Sequence, residues 1–168
     1  PDIPDTLAAG LAGAVHGLQI GMVVQLENDP DGEDRIRVKL PLIDNNDQGI
    51  WTRIASLDAG ADRGAFFRPE IDDEVIVGFI NDDPRDAVVL GMLHSSAKPA
   101  PITAKDVNHE KGFTTRSKMH IHFNDNTKTI TIDTPAGNKI MLDESAMKIE
   151  IKDQSNNKIT MEPGGIKM

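Results

Sequence analysis

His120-Ile121-His122 is the one spacing in this chain with the look of a metal site. Two histidines at i and i+2 on a strand face the same side, and imidazole ligates zinc, copper, iron and nickel. Their neighbours argue otherwise. Met119, Ile121 and Phe123 carry the apolar phase of the segment, so His120 and His122 fall on the solvent phase and read as surface histidines. The acidic runs Asp29-Pro30-Asp31-Gly32-Glu33-Asp34 and Asp82-Asp83 invite calcium, but neither has the twelve-residue loop closed by a bidentate glutamate. They read as solvated turns. Hydrolysis would need two carboxylates across a cleft or a Ser/His/Asp set. The carboxylates fall mostly in turns, and Ser56, Ser95, Ser96, Ser117, Ser145 and Ser155 sit in no G-x-S-x-G context. No phosphate loop is present. The expectation is a protein with no catalytic residues, no metal and no cofactor, and not an enzyme.

Composition narrows the class further. The 168 residues include no cysteine, which removes disulfides and thiol chemistry. The net charge of −9 is uneven. Residues 1–105 hold 9 basic against 18 acidic side chains, and residues 106–168 hold 9 against 9. An acidic front half argues against nucleic acid and against anionic membranes, both of which ask for a basic footprint. No run of about 18 apolar residues spans a bilayer. The segment 1–17 is small and apolar without a basic start, so it reads as a lead-in rather than a signal peptide. The first residue is Pro1 and the last unit, GGIKM, stops while a strand pattern is running, which reads as a piece of a longer protein.

The elements that must position these residues are strands throughout. In the last third, Ile121, Ile130, Ile140, Ile149, Ile159 and Ile166 recur at steps of 9, 10, 9, 10 and 7 residues. Each heads or ends an alternating segment separated from the next by Asn, Asp, Gly, Ser or Pro. Strand units at a near-fixed short period cannot bury one apolar face alone and need neighbours or copies. Six such strands, with a dry face of Ile121, Phe123, Ile130, Ile132, Ile140, Leu142, Ile149, Ile151, Ile159, Met161 and Ile166, predict a homotrimer closed around that face.

Residues 18–95 carry five strand candidates: 18–27, 35–40, 49–54, 74–80 and 86–93. A long Gly-bearing loop at 55–70 separates the third from the fourth. This pattern fits a small Greek-key barrel of OB type, with Val23, Val38, Trp51, Val75, Val77, Phe79 and Val89 as its core. Trp51 and Phe79 are read as core fillers rather than a nucleic-acid platform. The predicted organisation is a lead-in (1–17), a barrel (18–95), a Pro-rich linker (96–110) and a β-helical segment (111–168). The fold class is all-β.

The barrel string GMVVQLENDPDGEDRIRVKLP, followed by the Trp51 strand, Gly64, Phe67, Pro69-Glu70, Asp73-Glu74-Val75, Phe79, Asp83-Pro84, Val88-Val89 and Gly91, resembles the OB domain of the valine-glycine-repeat (VgrG-like) spikes of type VI secretion. It equally resembles the spikes of contractile phage tails and extracellular injection systems. The string TTRSKMHIHFNDNTKTITIDTPAGNKIMLDE resembles the start of the trimeric β-helical needle that follows that domain in the family. Together they cover about residues 18–168. The large upstream hub domain usual in the family is expected to lie outside this sequence, apart from its exit segment at residues 1–17. Some phage-type spike tips carry a similar histidine pair and use it for iron.

The resemblance implies a structural role as the trimeric membrane-puncturing spike at the tip of a tail tube. The implied fold is an OB barrel followed by an intertwined β-helix or β-prism. The implied partners are the tail-tube protein, a small PAAR-like tip protein and effector cargo. Nucleic acid is not among them, and the target envelope is pierced without stable insertion. Assembly is expected in a bacterial cytoplasm or particle, with export on firing. The rival readings are a saccharide- or peptide-binding OB module on a trimeric stalk, and a spike piece that has lost an effector domain.

Overall fold

A computed structural model describes residues 14–41 and 48–168. The chain divides into two compact units between Pro99 and Ala100. The described part of the lead-in, residues 14–17, belongs to the first unit, and most of the lead-in lies outside the described residues.

The first unit is a closed five-stranded barrel with a small hairpin. Its barrel strands are β1 (Gln19–Gln25), β2 (Ile36–Lys39), β3 (Ile50–Ile54), β6 (Glu74–Phe79) and β7 (Ala87–Leu93), in the order β1-β2-β3-β7-β6. The hairpin is β4 (Ala59–Gly60) with β5 (Arg63–Gly64). All barrel pairs are antiparallel except β3 with β7. Closure leaves no free edge strand in the barrel. Strict alternation explains the interior: Val23 faces Val38 across β1 and β2, Ile36 faces Thr52 across β2 and β3, and Val77 faces Val89 across β6 and β7. Val23, Ile36, Val38, Leu40, Val75, Val77, Ala87 and Val89 form the buried core, with Leu26, Ile50, Ile54 and Phe79 packed against it.

Trp51 departs from the expectation. It is absent from the core cluster, because β3 turns Thr52 inward and places Trp51 on the opposite face. There the ring pairs across strands with Arg37, whose guanidinium carbon lies 5.6 Å from its centroid. The parity of a strand overrides the size of a side chain.

The second unit carries a seven-stranded antiparallel sheet in simple sequence order: β8 (Glu110–Thr114), β9 (His120–Asn124), β10 (Thr129–Asp133), β11 (Lys139–Asp143), β12 (Lys148–Lys152), β13 (Lys158–Glu162) and β14 (Gly165–Lys167). The sequence reading had six strands. The added one, β8, lacks an Ile anchor and begins where the linker was expected to end. Each described ladder strand pairs with its neighbours in sequence, and only β8 and β14, at the two edges of the sheet, have a strand partner on one side alone. The tight turns use left-handed residues in step with the strands: Lys128, Gly137, Met147, Asn156 and Gly165 all have positive φ.

Candidate assembly surface

The register of the meander collects the apolar side chains into two columns on one face. One runs Phe113, Ile121, Ile132, Ile140, Ile151, Ile159. The other runs Phe123, Ile130, Leu142, Ile149, Met161, Ile166. These columns hold all eleven residues expected from the sequence, together with Phe113, which periodicity missed because β8 has no Ile. From Ile121 to Met161 each column residue is 37–43% exposed, and Ile166 is 68% exposed. Flat cross-strand packing covers the flanks of each side chain, while its outer end stays wet. At the β8 end, Lys111 stands opposite Phe123. Its ammonium donates to the Asn108 carbonyl at 2.7 Å and to the Asp125 carboxylate at 2.6 Å.

The other face is polar and internally paired. Lys139, Lys152 and Lys158 stand directly opposite one another across three strands. Glu150 sits among them, 3.4 Å from the Lys148 ammonium and 3.7 Å from that of Lys158. Burial pushes the Glu150 carboxyl up, but the Lys148 hydrogen bond and the charges of Lys148, Lys158 and Lys139 outweigh it, and the net pKa lies below the usual value. Thr160, between Glu150 and Lys167 in the register, is buried.

His120 and His122 lie on this polar face, opposite Ile121, as parity requires. They are not in open solvent as expected; both are half-buried. His120 Nδ1 is 3.1 Å from Asp133 Oδ2, its cross-strand partner. His122 Nε2 is shielded without a hydrogen-bond partner, beside a cavity of about 150 Å³ that Pro101, Ile102 and Gly112 also line. Among the described residues, no group of three or more His, Asp or Glu side chains has an arrangement that could hold a metal ion.

The acidic turn after β1 uses its carboxylates internally. Asp29 accepts hydrogen bonds from the backbone N–H of Asp31, Glu33 and Arg35 at 3.2, 2.9 and 3.1 Å. The Arg35 guanidinium donates to the same carboxylate at 2.6 Å and also pairs with Asp31. That guanidinium, against a smaller opposing effect of burial and with help from the three N–H groups, holds the Asp29 carboxyl well below the ordinary range. No helix among the described residues is long and apolar enough to cross a membrane.

Residues 19–94 match the family model of the type VI secretion system/phage-baseplate injector OB domain. Over that segment the chain is similar to the injector OB domain that this family model describes. Two relatives, both from Vibrio cholerae serotype O1, are similar beyond chance. The type VI secretion system spike protein VgrG3 is 29% identical over 117 residues. The actin cross-linking toxin VgrG1 is 28% identical over 113 residues. Each match takes in 63% of this chain but only 11% and 10% of the respective relative. The chain thus spans about a tenth of the length of the curated relatives it matches.

Proposed function

We propose that this chain is a non-enzymatic shaft segment of a contractile injection machine, acting as a homotrimer. The observation that carries the reading is the pair of apolar columns left uncovered along the full sheet. The five inner strands have backbone partners on both sides within the chain, so what their apolar face lacks is a cover. Three such faces turned toward one axis would give a dry core two side chains wide per chain. The turns and the charged columns would remain outside. This arrangement is a prism in which each copy contributes a complete wall.

The function is mechanical. Twelve column residues packed without voids along an axis resist compression, because close-packed interiors have low compressibility. Such a rod can carry thrust from a contracting sheath to an envelope. The injector family of the barrel and the VgrG relatives support a place in that machine. The tail-tube protein behind, a small tip protein ahead and effector cargo are the partners this reading assigns, with export on firing.

Replacing Ile149 by Asp tests the reading directly. It places a carboxylate in the proposed axis, where an unpaired buried charge costs several kcal/mol. The expected result is dissociation of the trimer, seen by sedimentation velocity, with the barrel still folded. An Ile149→Asp protein that stays trimeric would overturn the inward assignment.

A further inference from the structure

The connections between strands β8 to β14 alternate between two margins of the sheet. Residues 125–128, 144–147 and 163–164 turn at the first margin, and residues 115–119, 134–138 and 153–157 at the second. The register supplies the strand ends. Glu110, Asn124, Thr129, Asp143 and Lys148 stand opposite one another along the first margin. Glu162, one residue past the Met161 that faces Ile149, continues that row. Thr114, His120, Asp133, Lys139, Lys152 and Lys158 line the second margin.

The two margins carry opposite charge. The first holds the carboxylates of Glu110, Asp125, Asp143, Glu144 and Glu162. Its cations are Lys128 and Lys148 alone. The second holds Arg116, Lys118, Lys139, Lys152 and Lys158, and its carboxylates are Asp133 and Asp153. With histidine neutral, five against two leaves −3 on the first margin and +3 on the second. Pairing inside the chain does not use up this surplus. Lys128 pairs with Glu144 within the first margin, and Lys148 and Lys158 both reach Glu150 on the polar face between the margins. Among the described residues, Glu110, Asp143, Lys118, Lys139 and Lys152 belong to no ion pair.

Height along the sheet matches as well as sign. Strand β11 has Lys139 at one end and Asp143 at the other, and Lys152 of the next strand stands beside Lys139. Glu110 begins β8 on the first margin, and Lys118 lies in the turn from β8 to β9 on the second. Copies that turn their columns toward one axis and run in the same direction bring the first margin of one against the second margin of the next. Opposite charges then meet at the same height. Copies that face each other in opposite directions, related by an axis along the strands, set acid against acid and base against base. Exposed ion pairs are individually weak and are screened by salt. The columns therefore supply the affinity, and the margins choose the direction.

We propose that the acidic first margin of one copy docks on the basic second margin of the next, with Glu110 level with Lys118 and Asp143 level with Lys139 and Lys152. The proposal rests on the shaft reading and adds the polarity of its walls. The test is a mirror-charge variant of the 168-residue chain. It combines Glu110→Lys, Glu144→Lys and Glu162→Lys with Lys118→Glu, Lys139→Glu and Lys152→Glu. Asp143 is kept because its carboxylate accepts the Ala146 N–H at 2.8 Å in the turn. Variant and parent, carrying tags of different mass, are unfolded, mixed in equal amounts, refolded together at low ionic strength and weighed by native mass spectrometry. Parent trimers and variant trimers should dominate, with mixed trimers about tenfold below their statistical share, because each mixed contact sets like charges together. High salt before weighing should restore statistical mixing. A second arm uses Lys139→Glu with Lys152→Glu alone. Its trimer should dissociate at about tenfold higher protein concentration at low salt and match the parent at high salt. Trimeric parent with statistical or enriched mixing at low salt, or a two-site variant that dissociates like the parent there, would overturn the margin docking and leave the shaft reading standing. A parent that is monomeric in the same spectra would overturn both.

Discussion

At the scale of single residues, size and chemistry matter less than the phase of the strand that carries them. Ile36 is fully buried and Trp51, the only tryptophan, is not. Ile36→Ala should therefore cost about 2–5 kcal/mol of barrel stability. Trp51→Ala should cost less despite deleting more atoms. Paired urea melts check the order, and a larger loss for Trp51→Ala would restore the tryptophan to the core. Asp29 gives a pH prediction whose sign is fixed by its environment. Its carboxyl is depressed in the folded state, so its contribution to stability is full above about pH 4 and is lost as the pH falls below that. Asp29→Asn should lower the melting temperature at pH 7, and the gap to the parent should close on acidification. A gap that widens in acid would contradict the assigned role.

At the scale of elements, the meander depends on turns that set its register. Met147 holds φ 50 in the turn between β11 and β12 and is exposed. Met147→Val puts a β-branched side chain into a left-handed conformation and should cost about 1–2 kcal/mol, read from thermal melts. Met147→Gly should lose nothing. These turns were legible in the sequence from their Asn, Gly, Ser and Pro content, and the strands from the Ile period. The barrel strands were legible too, since their alternating Val and Ile residues lie between turn signals. Three things were not. β8 has Gly112 and Phe113 where the other strands have Ile, so its pairing with β9 shows only in space. Trp51 was misplaced because its hydrophobicity outweighed the parity of Thr52 beside it. The cavity beside His122 takes in Pro101 and Ile102, some twenty residues away in a stretch with no periodicity.

At the scale of the whole molecule, the two units solve the same problem in different ways. The barrel closes on itself and, among the described residues, buries a core of eight side chains. The meander pairs its inner strands on both sides but leaves two apolar columns wet, and an open face of that length is a docking or aggregation surface unless it is covered. Self-association through that face is the central claim, and the solution mass tests it most directly. Multi-angle light scattering on the 168-residue chain should return three times its 18.3 kDa mass across a range of concentrations. A mass of 18.3 kDa with the sheet folded would contradict it.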